Sequence, residues 1–206
     1  MATRETQKLI IDTAISLFNE HGSGNVSVNS IAAECELSKG NLHYHFRTKQ
    51  SIIRAIYDRI ANEIRNDWGD DLASPTAEHM REMFERQLSL IWRYQFFYME
   101  LMALLSTDAE LKRRFSKHRR DRSQVIFDFF VALIDNGVLL GPTNSRTLTS
   151  LVTLSWVLSD NWINYTAVDS KDIYPDFVRE GYLLIIDLFR PYLSPATLAT
   201  LDNPQP

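Results

Sequence analysis

The chain has 206 residues, with 22 Lys and Arg against 26 Asp and Glu, and its formal net charge is −4. Hydrophobic residues make up 45% and charged residues 23%, a balance that excludes an intrinsically disordered chain. No apolar run approaches the roughly 18 residues of a membrane-spanning helix, and a single cysteine, Cys35, excludes a disulfide framework. The polar first residues lead us to expect no secretory signal. We therefore expect a cytoplasmic protein without membrane association.

The charge is distributed unevenly along the chain. Residues 1–66 carry eight basic and seven acidic side chains, so the negative balance belongs to the remainder. Residues 38–54, which we call the basic window, contain four basic residues and no acid. The total charge argues against a protein that coats nucleic acid by bulk charge, but the basic window is compatible with a local contact to DNA.

Apolar residues recur at steps of three and four almost throughout, which predicts an all-α fold of about nine helices. A first helix over 3–21 should end at Gly22. Ser27 is expected to cap a short second helix, and Cys35 lies on its inward face, so we interpret Cys35 as a small core residue. After a three-residue turn, Ser38 begins a third helix of about seven residues. A longer fourth helix follows.

Two short helices joined by a three-residue turn and braced by a longer one are typical of a helix-turn-helix. In that motif the second short helix enters the major groove of DNA. Asn41 offers a donor and an acceptor to a base edge, so we expect it to set base preference, whereas Lys49 should strengthen binding to all sequences alike. The residues predicted to contact DNA are Ser27, Ser38, Lys39, Gly40, Asn41, His43, Tyr44, His45 and Lys49.

Residues 28–53, VNSIAAECELSKGNLHYHFRTKQSII, closely resemble the DNA-binding signature of the TetR (tetracycline repressor) family of bacterial regulators. The resemblance is specific over 4–60, and beyond residue 70 it consists only of all-helical character and size. Glu36 stands where the family commonly has a glycine, and His43 where it commonly has a tyrosine. The resemblance implies a homodimeric repressor that binds palindromic operator DNA and releases it when a small molecule enters the C-terminal domain.

A polar break at 69–75 is the predicted boundary between two parts of the chain. The predicted organisation is a helix-turn-helix domain over 1–50, a connecting helix over 51–68, a ligand-binding and dimerisation domain over 69–193, and a loosely ordered tail over 194–206. The helices expected in the second part cover 76–97, 98–106, 109–136, 145–167 and 174–190.

Several residues of the second part are candidates for an effector pocket. His118 and Arg122 interrupt an apolar helical stripe, and in a cavity they would favour an anionic or hydrogen-bonding group. The basic run 112–122 around them also fits a solvated helix face or a contact with DNA phosphates. Methionines and aromatic residues suit an adaptable apolar pocket, and equally a core. The predicted ligand is mainly hydrophobic, with a carboxylate as an option, and the predicted lining is Trp92, Phe96, Met99, Met102, His118, Arg122, Trp156 and Trp162.

The last two predicted helices form a candidate association surface. The helix over 145–167 is apolar nearly all round and must be buried on more than one side. Gly181 lies within the next helix, where an interior glycine costs about 1 kcal/mol relative to alanine, so we expect it to permit a close helix approach. A two-fold four-helix interface is predicted, with Leu151, Trp156, Phe177, Gly181, Leu184 and Leu188 in it.

The sequence contains no nucleophile–base pairing, glycine-rich phosphate loop or metal-ligand spacing. His43 and His45 are two residues apart on a helix and do not converge on one metal. We therefore expect no enzymatic activity, cofactor or metal. The favoured function is a DNA-binding repressor with a small-molecule effector. The alternatives are a helical ligand-binding protein with an incidental helix-turn-helix, and an activator or architectural DNA-binding protein that responds to no effector.

Overall fold

A computed structural model describes residues 2–67, 74–142, 144–168 and 176–202. These residues form α-helices joined by short turns, one 3₁₀ helix at Arg190–Tyr192, and a single β-bridge between Leu139 and Leu193. Residue 68, residues 69–73 of the predicted break at 69–75, and the whole predicted loop at 169–172 lie outside the described residues. The helices are α1 (Ala2–His21), α2 (Val28–Glu34), α3 (Lys39–His45), α4 (Lys49–Asp67), α5 (Ala77–Arg93), α6 (Gln95–Met99), α7 (Leu101–Thr107), α8 (Ala109–Asp135), α9 (Ser145–Thr166), α10 (Asp176–Phe189) and α11 (Pro195–Asp202).

The predicted all-α class is confirmed, and the described residues contain eleven α-helices where about nine are predicted. One additional helix results from a break at Tyr94, whose backbone leaves the helical region at φ −112° and ψ 36°. The Tyr94 ring is fully buried, and its hydroxyl donates to the Glu63 carboxylate at 2.7 Å. The predicted helix over 76–97 is therefore two helices, α5 and α6.

The second additional helix, α11 (Pro195–Asp202), lies in the segment 194–206 that the sequence predicts to be loosely ordered, of which residues 203–206 lie outside the described residues. The Ser194 hydroxyl caps α11 by accepting a hydrogen bond from the Thr197 backbone N–H at 3.2 Å. The Thr197 hydroxyl donates to the carbonyl of Val138 at 2.9 Å, and Leu201 is buried. These contacts order the segment because its serine and threonine satisfy backbone groups and its leucine reaches the core.

The chain divides into two compact units. The first comprises Met1–Glu63 and Tyr94–Arg114, so residues 94–114 pack with the N-terminal helices, although the sequence boundary assigns them to the second domain. Ring contacts join the two segments: Phe18 lies 5.0 Å from Phe96, and Tyr57 stacks on Phe97 at 5.5 Å between ring centroids. Fully burying such a side chain contributes roughly 1.5–3 kcal/mol. The fully buried aliphatic side chains of this unit include Ile10, Ile31, Leu42, Ile52 and Ile56.

The second unit comprises Ile64–Arg93 and Phe115–Pro206. In it, α10 packs against α5 and α9, and α11 packs against α5. An aromatic cluster fills the centre: Phe130 stacks on Phe189 with centroids 4.7 Å apart, and Phe84 lies 5.9 Å from Phe189. These contacts make α5, α8 and α10 the core of the unit.

Gly181 allows α10 to approach its neighbours closely, as the sequence predicts. A Cβ atom added there would lie 2.7 Å from the Trp162 indole of α9 and 3.1 Å from Leu88 Cδ1 of α5. The indole is held in place, because its N–H donates to the Phe177 carbonyl at 2.9 Å. The predicted close approach is confirmed, and it is between helices of the same chain.

We expect Gly181→Ala to lower the free energy of unfolding by about 1 kcal/mol, measured by urea denaturation. Overpacking of this kind costs about 1–3 kcal/mol, which exceeds the gain of about 1 kcal/mol in helix propensity. Gly24→Ala is the matched control, because a Cβ there meets nothing within 4 Å. An unchanged or raised urea midpoint in Gly181→Ala would contradict the packing described.

Candidate functional site

Serine caps begin both short helices of the helix-turn-helix, which confirms the predicted helix starts. The Ser27 hydroxyl accepts from the Ser30 backbone N–H at 3.0 Å, and the Ser38 hydroxyl accepts from the Asn41 backbone N–H at 3.2 Å. Losing a cap of this kind typically costs about 1 kcal/mol. Both serines thus fix helix geometry, and both remain exposed.

The turn between α2 and α3 closes through a left-handed residue at Glu36, with φ 54°. The Glu36 N–H donates to the Ala33 carbonyl at 3.0 Å, and the Leu37 N–H donates to the Ala32 carbonyl at 2.9 Å. This pair of hydrogen bonds is the Schellman ending of a helix, which usually has glycine at the left-handed position. Glu36 therefore adopts the conformation for which the family commonly uses glycine. Cys35 beside it is buried, as predicted.

One face of α3 is exposed and the other is anchored in the core. Leu42 is fully buried, whereas the Tyr44 side chain is 80% exposed. A large aromatic ring with so little cover on a well-anchored helix is available to a binding partner. The exposed residues of α3 are Lys39, Gly40, Asn41, His43 and Tyr44.

His45 differs from the other predicted contact residues of α3. Its ring is half-buried and lies edge-on to Tyr44 at 5.2 Å between centroids. Its Nδ1 atom is buried and has no hydrogen-bond partner among the described residues. The structure therefore places His45 at the edge of the exposed face and not in its centre.

Lys49, at the start of α4, is engaged with the chain itself. Its ammonium group donates to the carbonyl of Val26 at 3.0 Å and to the carbonyl of Ser23. Both carbonyls belong to the turn between α1 and α2. The side chain is half-buried, so its charge serves to hold this turn, a role that the sequence does not indicate.

Glu100 binds the same turn with the opposite charge. One carboxylate oxygen accepts from the Ser23 backbone N–H at 2.8 Å, and the other accepts from the Ser23 hydroxyl. Ser23 is buried, and the two residues are 77 positions apart in the chain. Sequence reasoning missed Glu100 because no local pattern marks a partner at that separation.

Ion pairs link α4 to the start of α8 within the first unit. Arg54 pairs with Asp108 at 2.7 Å, and Arg114 pairs with Asp58 at 2.7 Å. Burial opposes ionisation of Asp108, but the hydrogen bond from the Leu111 backbone N–H and the Arg54 guanidinium together hold the pKa of its carboxyl below its ordinary value. These pairs are specific contacts between distant parts of the chain.

The basic run 112–122 is partly neutralised by neighbouring acids. Arg113 and Arg114 both pair with Glu110 one turn earlier in α8, and Lys117 pairs with Asp121 at 2.5 Å. Such exposed pairs contribute little to stability, about 0–1 kcal/mol each. This arrangement is what a solvated helix face looks like, which is one of the alternatives that the sequence leaves open.

A pocket in the second unit lies among α5, α8 and α9. The Arg122 guanidinium lies over the Trp156 ring, 5.2 Å from its centroid, and donates to Gln87 Oε1 at 2.6 Å. The Trp156 indole N–H in turn donates to an Asp160 carboxylate oxygen at 2.7 Å. The cavity volume is about 30 Å³, and its lining is Met83, Phe84, Gln87, Arg122, Ile126, Ser155, Trp156, Ser159 and Asp160.

The structure brings together only two of the predicted pocket residues, Arg122 and Trp156. Trp92 and Trp162 instead contact the Phe177 ring, with centroids 5.2 Å and 6.3 Å away, and His118 is half-buried outside this lining. In the first unit, Phe96 packs on Phe18, and Met99 and Met102 are 45% and 77% exposed.

Asp160 is the most informative residue that sequence reasoning missed. It is the one acidic residue of α9 and lies one turn after Trp156, so its position on an apolar helix was a usable signal. Burial raises the pKa of Asp160 to about 6, against the opposing effects of the Trp156 hydrogen bond and the charges of Arg122 and Arg119. The pocket therefore contains a carboxylate that ionises close to neutral pH.

The predicted dimer residues divide into buried and exposed sets. Leu151, Phe177 and Gly181 are buried against their own chain, and Trp156 is half-buried and lines the pocket. Leu188 is half-buried and Leu184 is 44% exposed. The exposed apolar side chains of the same two helices, which we call the α9–α10 face, are Leu154, Val157, Tyr165, Leu183 and Leu184.

Comparison with known proteins identifies the family. A family model described as "Bacterial transcriptional repressor" (TetR) matches residues 58–201, and one described as "Bacterial regulatory proteins, tetR family" matches residues 10–56. The chain belongs to the TetR family of bacterial transcriptional regulators. The helix-turn-helix of this TetR-family protein is therefore a DNA-binding element of a transcriptional regulator.

Individual relatives agree with this assignment. The uncharacterized HTH-type transcriptional regulator YuxN of Bacillus subtilis is 30% identical over 93 residues, which are 43% of this chain and 30% of YuxN, so the matched region spans under a third of that relative. A TetR-family regulator from Marinobacter aquaeolei VT8 has a TM-score of 0.86 at 26% identity, covering 97% of this chain and 98% of that one. The SmeT–triclosan complex shares the fold, with a TM-score of 0.65 at 17% identity, covering 98% and 99% of the two chains.

The described ranges contain neither a membrane-spanning helix nor a metal-binding cluster. No helix in those ranges is long and apolar enough to cross a membrane. Nor does any cluster of three or more His, Cys, Asp or Glu side chains within them have an arrangement that could hold a metal ion.

We expect Lys49→Met to weaken DNA binding without changing its salt dependence, because Lys49 holds the turn between α1 and α2. The measurement is fluorescence anisotropy with a DNA fragment from upstream of the gene, over about 50–200 mM salt. Loss of one phosphate contact would reduce the slope of log affinity against log salt by about 0.9.

Lys39→Met is the matched control, since Lys39 is exposed at the start of α3. It should reduce that slope by about 0.9. A reduced slope in Lys49→Met would instead assign its charge to a phosphate and contradict the structural role.

We expect the stability of Asp160→Asn, relative to wild type, to be higher at pH 7 than at pH 4. The raised pKa means that the folded state binds this proton more tightly than the unfolded state does, so stability falls as pH rises from about 4 to 6. The variant lacks this titration and should gain about 1–2 kcal/mol over wild type across that window, after allowance for partial exposure. Urea denaturation at both pH values measures it.

Asp128→Asn controls for the change of a carboxylate elsewhere, because Asp128 is exposed on α8 and accepts only a local hydrogen bond from Gln124 at 2.8 Å. A difference between Asp160→Asn and wild type that is the same at pH 4 and pH 7 would show that burial does not raise the pKa of Asp160.

Proposed function

We propose that this TetR-family regulator is a repressor that binds a palindromic operator as a homodimer and releases it when a small, mainly hydrophobic effector binds in the second unit. The observation that carries the proposal is the exposed face of α3, held by the buried side chain of Leu42. A helix seven residues long, capped at its start and anchored on one side, fits the major groove with its first turn toward the bases.

The contacts within α3 divide between bases and backbone. Asn41 carries an amide that matches the paired donor and acceptor of an adenine edge. Lys39 precedes it with a positive charge, and Tyr44 extends an exposed hydroxyl that suits a phosphate. Gly40 has open space around its Cβ position, so the backbone there can approach DNA closely.

The α9–α10 face supports the homodimer. Five large apolar side chains are exposed on α9 and α10, which pack against each other, and exposed apolar surface on neighbouring helices suits a protein interface. A two-fold axis would pair this face with its copy in a four-helix arrangement and place two copies of α3 on two half-sites. The operator should therefore be a palindrome.

The pocket of the second unit supports the effector role. It combines apolar walls with a few convergent polar groups, which is the usual character of a small-molecule site. SmeT, a protein of the same fold, is described in complex with triclosan. Repression would end when the effector binds most tightly to a conformation that does not bind the operator, which shifts the population away from DNA.

The helix α8 offers a physical route for that shift. It contributes Arg114 to the ion pair with Asp58 in the first unit and Arg122 to the pocket of the second. α8 is one continuous helix that carries both residues, so we propose it as the element through which a ligand at Arg122 affects the ion pair at Arg114.

The decisive experiment is a gel shift on DNA flanking the gene, with excess random DNA as competitor. Wild type should retard the fragment and protect a two-fold symmetric site. Leu154→Glu places a charge in the α9–α10 face and should be monomeric by light scattering. Because a monomer binds only one half-site, its operator affinity should fall at least tenfold, which corresponds to a loss of about 1.4 kcal/mol or more in binding free energy.

Leu140→Glu is the control, because Leu140 is also exposed, at 64% against 51% for Leu154, but lies outside α9 and α10. It should remain dimeric with unchanged affinity. Retardation that random DNA abolishes would favour the architectural alternative, and a lack of retardation would favour a ligand-binding protein without operator function.

A further inference from the structure

The α9 wall of the pocket consists of hydrogen-bond acceptors. Ser155 donates its hydroxyl proton to the Val152 carbonyl at 2.9 Å, and Ser159 donates to the Ser155 carbonyl at 2.8 Å. Both hydroxyls have therefore used their one proton and offer only lone pairs. The Asp160 carboxylate accepts one hydrogen bond from Trp156 and has further lone pairs available. This wall needs a ligand that brings a donor.

The wall formed by α5 and α8 consists of donors. Arg122 has only N–H groups, and its bond to Gln87 Oε1 leaves the Gln87 amide nitrogen as a second donor. A ligand group that both donates and accepts satisfies the two walls together. A group that only accepts would face the lone pairs of α9 without a proton between them, which costs free energy in a partly buried site.

Charge selects an uncharged ligand. Asp160 is influenced by Arg122 and Arg119 of α8, and α5 contributes the uncharged Gln87 to the lining. An ion of either sign would be attracted by one charge of the pocket and repelled by the other: a cation at Asp160 meets Arg122 and Arg119, and a carboxylate at Arg122 meets Asp160. Like charges at short distance disfavour both ions, whereas a neutral dipolar group avoids either repulsion.

The small volume of the cavity restricts the ligand to a small ring. It also means that one side chain, Arg122, must move before a ring can enter. The cavity of about 30 Å³ holds a water molecule but not a ring. The Arg122 guanidinium covers the Trp156 indole, and this side chain is long and partly exposed. Its guanidinium can slide off the indole face while its N–H groups stay at the rim of the pocket, and an aromatic ring can then stack on the indole in its place.

We propose that the ligand of this pocket is a small, uncharged ring compound with a hydroxyl or a primary amide, which stacks on Trp156 and donates a hydrogen bond to Asp160. The inference rests on the proposed effector role of the pocket and names its ligand class. It replaces the carboxylate that the sequence offers as an option.

Calorimetry on the full-length, DNA-free protein tests the class directly, with phenol, benzamide, toluene, benzoate and benzylamine as probes of similar size. Phenol or benzamide should bind at least about fivefold more tightly than toluene, the gain of one net hydrogen bond. Benzoate and benzylamine should bind more weakly than either. Equal or tighter binding of an ionic probe would overturn the proposal, as would absence of phenol and benzamide binding at about 10 mM.

Asp160→Asn should invert the hydrogen-bond preference. Its amide oxygen can keep the Trp156 N–H, which turns the amide nitrogen, a donor, toward the pocket. The preference for phenol over toluene should disappear and benzoate affinity should rise about fivefold, while toluene affinity stays unchanged as a check that the pocket is intact. Asp128→Asn should behave as wild type. Persistence of the phenol preference in Asp160→Asn would overturn the assignment.

Release of DNA is measured separately by adding the same probes to the gel shift. Phenol that binds in the expected order but leaves DNA binding unchanged would refute the effector role and leave the ligand class standing. DNA release by benzoate alone would support an effector role and refute the ligand class.

Discussion

Ser23 is held by opposite charges on its two sides, and the position of the DNA-binding helices depends on this contact. The Lys49 ammonium binds its carbonyl, and the Glu100 carboxylate binds its N–H and hydroxyl. Hydrogen bonds to charged groups contribute about 1.5–3 kcal/mol each, more than neutral ones do. Because Ser23 lies four residues before the Ser27 cap, fixing it also fixes where α2 begins and, through a short turn, where α3 lies.

The end of α1 is shaped for the same contact. Gly22 has a φ of +78°, which side-chain-bearing residues rarely adopt, and a Cβ there would lie 3.3 Å from Glu100 Oε1. Asn19, one turn earlier, accepts a hydrogen bond from the Phe96 backbone N–H at 3.2 Å. Glycine is thus required by the backbone and by the neighbouring carboxylate, and α6 becomes part of the N-terminal unit instead of the domain to which its place in the sequence assigns it.

The sequence correctly predicts those features, such as helix caps, that depend on residues within one or two helical turns. The caps at Ser27 and Ser38 depend on residues three positions away, so their pattern is visible in the sequence. Arg122 was recognisable as a polar interruption of an apolar stripe, and Asp160 carries the same signal on α9. The role of Glu100 depends on a partner 77 positions away, and residue type alone does not say which unit receives a side chain. For that reason the methionines and aromatic residues predicted to line one pocket lie in both units of the structure.

The four cations of the basic window have two different tasks. Lys49 binds main-chain carbonyls and Arg54 pairs with an aspartate, so both stabilise the first unit. Lys39 and Arg47 are exposed and form no ion pair within the described part of the chain. Each protomer of the proposed dimer therefore offers DNA two cations from this window, half of what a count suggests. Because cations on phosphates attract any DNA alike, base selectivity in the proposed complex rests on the neutral donors and acceptors of α3.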